Sequence, residues 1–183
     1  MSSKLIVNSI ENTTGTHTIN LDSGDSSIVG DLTVGGNLDL SSGGVYLGGS
    51  GSANLLDDYE EGTWVPQINY GTLTTSQGSY TKVGRLVKVT GRITGFSDTS
   101  TGQRVQILNL PFNAASGGDY ECTGSAFARY TSKSAQAVYI PAGGDNAFFY
   151  AMAGGDWSNQ ELDHSDLTSS NADIYWSASY VAN

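Results

Sequence analysis

The chain has 183 residues, eight Lys and Arg against eighteen Asp and Glu, and a formal net charge of −10. That balance argues against a nucleic-acid partner, which needs a basic surface to displace phosphate counterions. No apolar run reaches the length of a membrane span or a secretory core, and the lone Cys122 rules out an intrachain disulfide.

The 24 glycines, frequent Ser, Thr and Asn, and lack of leucine-rich helical periodicity point to β-structure with many turns. The chain changes character near Gly62. Before it stand one basic residue, Lys4, and nine acids; after it come every Trp and Phe, eight of ten Tyr and the other seven basic residues. From the N-terminus, "KLIVNSI" and "HTINL" read as short alternating segments. In "SIVGDLTVGGNLDLSSGGVYL" the apolar positions Ile28, Val34, Leu40 and Tyr46 recur every six residues. Leu32 and Leu38 make a second row at the same spacing, whose next place is Gly44. "DLTV" and "NLDL" are thus successive units separated by a Gly-containing turn. Such short β-units bury too little to fold alone, and repeats gain stability by sharing a core with neighbours. Three chains around one axis would let each row meet its copies, which predicts an intertwined β-shaft.

The region after Gly62 is dense in strand signals. "TWVPQINY" opens it. "SYTKVGRLVKVTGRI" reads as a hairpin turning at Gly84-Arg85, with Val87, Val89 and Ile93 on one face and Lys88, Thr90 and Arg92 on the other. "QRVQILNLPF", "YECTGSAFARY", "AQAVYIP" and "NAFFYAMA" follow as further strands. "WSNQELDHSDL" reads as a loop or a single turn. The closing "ADIYWSASYV" alternates Ile174, Trp176, Ala178 and Tyr180 against Tyr175, Ser177, Ser179 and Val181. The aromatics in both rows point to a strand buried on two faces. About seven strands with turns between them predict an antiparallel β-sandwich.

"SKLIVNSIE", "LLDDYEEGTWVP" followed by "GSYTKVGRLVKVTGRI", and the final "IYWSASYV" resemble parts of the small fibre and receptor-binding proteins of tailed bacteriophage virions. The middle of the chain, roughly 96–170, carries no such motif. The resemblance implies an all-β homotrimer with an intertwined N-terminal shaft and a jelly-roll-like β-sandwich head. It implies a structural or adhesive role in the virion, after assembly in the host cytoplasm. The segments expected are 1–26 for attachment to other virion proteins, 27–53 for the trimeric shaft, 54–61 for an acidic junction, and 62–183 for the head. The partners expected are two further copies of the chain, other virion proteins and a host cell-surface glycan, without nucleic acid or membrane insertion. A capsid or neck decoration protein is the alternative, and a glycan-processing enzyme a more distant one.

The candidate residues follow from this frame. Asp57, Asp58, Glu60 and Glu61 crowd around Tyr59, and a cation could hold three such clusters about an axis. A solvated joint is the plainer reading, since the EF-hand spacing is missing. That structural cation is the sole cofactor candidate. Lys82, Arg85, Lys88 and Arg92 form a basic strip that would meet a neighbouring subunit's acids, and Ile28, Leu32, Val34, Leu38, Leu40 and Tyr46 would meet across the shaft. Asp156, Trp157 and Asn159 lie in a polar loop and suit a host contact, where an aromatic face covers a sugar. His17 and His164 stand in no ligand spacing, and no nucleophile motif is present, so no catalytic residue is assigned.

Overall fold

The computed structural model describes residues 31–40, 43–48, 50–151 and 160–183. The chain divides into two units, Met1–Leu40 and Ser41–Asn183. In the first, residues 31–40 form neither strand nor helix within one chain. Leu32, Val34, Leu38 and Leu40 are between 43% and 62% exposed there. Among the described residues, the six-residue spacing therefore finds no partner rows inside a single copy.

The second unit opens with a small hairpin. Strand β1 (Val45–Tyr46) pairs antiparallel with β2 (Leu55–Leu56), Val45 opposite Leu56 and Tyr46 opposite Leu55. A turn of 3-10 helix at Ser52–Asn54 precedes β2, and the Leu47 amide donates to the Asn54 carbonyl at 2.8 Å. Leu55 and Leu56 thus close onto Val45 and Tyr46 of their own chain.

The remaining strands are β3 (Tyr59–Trp64), β4 (Gln67–Ile68), β5 (Thr75–Val83), β6 (Leu86–Thr94), β7 (Gln106–Leu108), β8 (Cys122–Arg129), β9 (Ala135–Ile140), β10 (Ala147–Ala151) and β11 (Asp173–Val181). All nine belong to one antiparallel sheet in the order β3-β5-β6-β11-β8-β9-β10-β7-β4. The Gly84-Arg85 hairpin forms as its sequence predicts: Val83 pairs with Leu86, and Gly84 takes the positive φ of 56° that the first position of a II′ turn requires. Of the residues expected to form the acidic junction, Tyr59–Glu61 begin β3, and Gly62 lies in its middle.

Strands β3 and β4 are the two ends of the sheet order, yet only Val65 and Pro66 separate them in the chain. Such a linker spans about 11 Å at most, so the sheet curls until its ends meet. Asn109 fastens the corner: its Nδ2 donates to the Val65 carbonyl at 3.1 Å, and its Oδ1 accepts from the Gln67 amide at 3.0 Å. Asn109 does so at a φ of 56°, a left-handed conformation that Asn tolerates better than most residues. The Ser76 hydroxyl donates to the Pro66 carbonyl on the same corner. Where the strand count predicts an antiparallel β-sandwich, and the resemblance a jelly-roll-like one, the described strands form one curled antiparallel sheet; the all-β antiparallel class stands.

Curling encloses the core. Val87, Val89 and Ile93 from β6, Ile174, Trp176 and Tyr180 from β11, Val138 and Ile140 from β9, and Phe149 from β10 are buried together. Each such side chain contributes roughly 1.5–3 kcal/mol on leaving water. Trp176 meets Trp64 of β3 edge-on at 5.9 Å and Phe149 of β10 at 6.2 Å, so rings from distant places in the sheet converge. The indoles lie against backbone, which is why glycines face them. A Cβ on Gly78 would sit 2.2 Å from Trp64 Nε1, and one on Gly91 2.5 Å from Trp176 Nε1. This flat packing leaves both indole N–H groups buried without a partner.

The last strand departs from its expectation. Its Ile174, Trp176, Ala178 and Tyr180 row is buried as predicted, but Tyr175 on the other row is 37% exposed and Ser179 faces solvent. The second row forms part of the outer surface, where arginines flank Tyr175 in place of a second core layer.

Candidate functional site

Strand pairing lays the outer face of β3, β5, β6, β11 and β8 out as rows of side chains. Tyr59, Val83, Leu86 and Val181 make the first row, at the end where the chain enters the sheet. Glu61, Thr81, Lys88 and Ser179 make the second. The third holds Thr63, Ser79, Thr90, Ser177 and Ser125. Its hydroxyls touch in pairs, Ser79 with Thr90 at 2.8 Å and Ser125 with Ser177 at 3.3 Å. Gln77, Arg92, Tyr175 and Phe127 make the fourth row.

Between the third and fourth rows runs an open groove of about 690 Å³. Thr63, Gln77, Ser79, Thr90, Arg92 and Tyr175 line it from the outer face, Gly78 and Gly91 contribute bare backbone, and Trp64, Val65, Ser76 and Trp176 complete the lining. The glycines chosen for the inner indoles therefore also keep this part of the sheet thin. The groove mixes hydroxyls, an amide, a guanidinium and aromatic residues. Such a lining can hydrogen-bond a hydroxyl-rich ligand in several directions at once.

The arginines are held by Asp173, which is 3% exposed at the far end of β11. Arg92 donates to it through Nε at 3.0 Å and Nη2 at 3.1 Å, and Arg129 donates through Nη2. Hydrogen bonding from Arg92, opposed by burial and reinforced by Arg129, holds the Asp173 carboxyl below the usual carboxylate range. Both guanidinium groups lie over the Tyr175 ring, at 5.2 Å and 5.6 Å from its centre. Two cations around one carboxylate leave this end of the face net positive on a chain that is acidic overall.

The basic strip read from the hairpin does not stay together. With Val83 opposite Leu86, Lys82 stands opposite Val87 and shares the inner face, while Lys88 and Arg92 face out. Lys82 is 9% exposed, pairs with Asp58 of its own chain, and lies 5.2 Å above the Phe112 ring. Arg85 donates to the Ala182 carbonyl at 2.9 Å and covers Tyr120. Only Lys88 of the four keeps a cation on the outer face with no ion pair among the described residues.

The acidic cluster also disperses. Asp58 turns to Lys82, Glu60 accepts from the Tyr80 hydroxyl, and Glu61 accepts from the Tyr59 hydroxyl at 3.0 Å. Glu60 and Glu61 are successive strand residues and point to opposite faces. Among the described residues no three His, Cys, Asp or Glu side chains gather in one chain to hold a metal ion. His164 is buried, with Nδ1 at 3.1 Å from the Asp98 carbonyl and Nε2 at 3.3 Å from Asn69 Oδ1. Its acidic neighbours are engaged by Arg104, Lys133 and Ser132. Ile28, His17, Asp156, Trp157 and Asn159 lie outside the described residues.

The groove was missed because no local pattern announces it. Four strands each give one or two ordinary residues, and their registers alone bring them together. Comparison with protein-family models, curated proteins and solved structures finds no match to this chain.

Proposed function

We propose that this chain is a non-enzymatic structural protein of a tailed-bacteriophage virion. It forms a homotrimer through an N-terminal β-shaft and carries a β-head that contacts a saccharide on the host surface. The observation that carries the reading is the exposure, in one copy, of every apolar side chain described from Leu32 to Leu47. Leu32, Val34, Leu38, Leu40, Val45, Tyr46 and Leu47 are each between 39% and 62% open to water. A run of apolar residues in register, with no core of its own, is stabilised by equivalent runs in other chains. The resemblance of the junction and hairpin to phage fibre heads gives the trimer its setting.

The head's part in this reading falls to the outer groove, whose hydroxyl, amide and aromatic lining suits a sugar chain. Three heads on one shaft would add avidity to a weak single site. Sedimentation equilibrium of the purified chain tests the assembly: a mass three times that of one chain is expected, and a monomer at all concentrations refutes the trimer. Binding to host cells tests the adhesive role. It should fall on removal of surface saccharide and on Gln77→Ala in the groove; retention through both refutes saccharide contact there. Release of soluble sugar from host polysaccharide would overturn the non-enzymatic reading. Immunolabelling of the particle separates a tail fibre from a capsid or neck decoration.

A further inference from the structure

The first row of the outer face has no explanation within one chain. Tyr59, Val83 and Leu86 are directly paired across three strands and are 63%, 42% and 55% exposed. Val181 of β11 extends the row, opposite Leu86. Three large apolar side chains side by side in water form a patch of the kind that marks contact with another protein. The next row carries two charges without counter-charges among the described residues. Lys88 has no acidic partner, and Glu61 accepts only from its neighbour Tyr59. They stand two strands apart, about 10 Å between backbones with Thr81 between them, and they do not pair with each other.

We infer that the row of Tyr59, Val83 and Leu86, with Glu61 and Lys88 beside it, is the surface through which heads of neighbouring copies pack. The occupant is a second copy of this chain, and the inference rests on the trimeric reading above. Glu61 lies on β3, which is an end of the sheet, and Lys88 lies on the face beyond β5. The end strand of one copy can therefore rest on the face of the next, bringing Tyr59 onto Leu86 and Glu61 onto Lys88. A contact of this heterologous kind closes into a ring under threefold rotation. The patch is far smaller than the roughly 800 Å² per partner of an independent interface. It suits a secondary contact between heads that other segments already hold together at high effective concentration. The position agrees: the row lies at the end where the chain enters the sheet, four residues along the strands from Thr63 and Thr90 on the near side of the groove and six from Arg92 and Tyr175, roughly 14 to 20 Å away. Head packing and groove binding therefore use separate parts of one face.

The test is sedimentation equilibrium on the full chain and on Leu86→Glu, Lys88→Glu, Glu61→Lys and the double charge swap. Near-ultraviolet circular dichroism checks that each head is folded. Leu86→Glu and the two single charge reversals should each raise the trimer dissociation constant about tenfold or more, and the double swap should return it toward wild type. A wild-type trimer whose dissociation is unchanged in Leu86→Glu and Lys88→Glu overturns the inference and leaves the trimeric reading standing. A monomeric wild type overturns both. The charge-swap pair keeps the test decisive where Leu86→Glu unfolds the head.

Discussion

Removing one buried oxygen at Tyr180 should weaken the head in a way that reverses at high pH. Tyr180 is 1% exposed near the end of β11. Its hydroxyl donates to the Phe112 carbonyl at 2.9 Å and accepts from the Phe112 amide at 3.3 Å. This reciprocal pair ties the last strand to the segment after β7. Tyr180→Phe leaves both Phe112 backbone groups without that partner, at a cost of about 2 kcal/mol near neutral pH. Burial pushes the Tyr180 phenol up to about 12, against the Phe112 hydrogen bond that lowers it. An unfolded tyrosine titrates near 10. A phenol whose folded pKa is raised contributes stability that is fully present below the unfolded value. That contribution is lost as pH climbs from 10 through 12. Two units correspond to about 2.7 kcal/mol, close to the full cost of the deletion. Urea unfolding of both proteins from pH 8 to pH 12 measures the difference directly. Wild type should lead by about 2 kcal/mol at pH 8, and the gap should close or reverse toward pH 12. A gap that stays constant across that range, or that is absent at pH 8, refutes the argument.

Three other outcomes follow from the same geometry. Gly91→Ala places a methyl 2.5 Å from Trp176 Nε1 and should destabilise by about 2 kcal/mol, with loss of near-ultraviolet tryptophan ellipticity, read by thermal melting. Asn109→Ala removes both bonds at the sheet corner and should cost about 2 kcal/mol in urea unfolding; Asn109→Gly should recover part of this, because glycine accepts the φ of 56° without strain. Millimolar calcium should leave the melting midpoint where it is, since the Asp58, Glu60 and Glu61 carboxylates turn to different partners and no metal-holding group forms among the described residues of a chain; a midpoint that climbs with calcium concentration would show a site assembled between copies.

Much of the sheet was written in local alternation. Val87, Val89 and Ile93 repeat at period two, as do Ile174, Trp176, Ala178 and Tyr180, and both rows are buried. The turn at Gly84-Arg85 carries its own signal in the glycine. What alternation lacks is long-range pairing. Nothing local says that β11 inserts between β6 and β8, or that β4 pairs with β7 at the far end of the sheet. The curl, and with it the difference between two sheets and one, depends on those pairings. The burial of Lys82 was within reach: a two-residue turn pairs Val83 with Leu86, and counting back one residue sets Lys82 beside Val87 on the inner face. The positive charge of Lys82 suggested an exposed strip, but its register decided otherwise, with Asp58 and Phe112 completing its surroundings.

The acidic stretch around Tyr59 has a physical reason that needs neither metal nor catalysis. Strand β3 is one end of a curled sheet, and within the sheet it pairs only with β5. An end strand offers free amides and carbonyls to any passing chain, and charged residues on it oppose such pairing. Glu60 and Glu61 put a carboxylate on each face of that strand, while Asp58 just before it neutralises the one lysine that the inner face buries. The same charges would hinder copies from joining edge to edge. They leave open the contact in which the β3 edge of one copy meets a cation on the face of the next. In the trimer proposed above, an acidic end strand, with a Lys88 that has no ion pair among the described residues, would favour a closed ring of heads over an extended sheet.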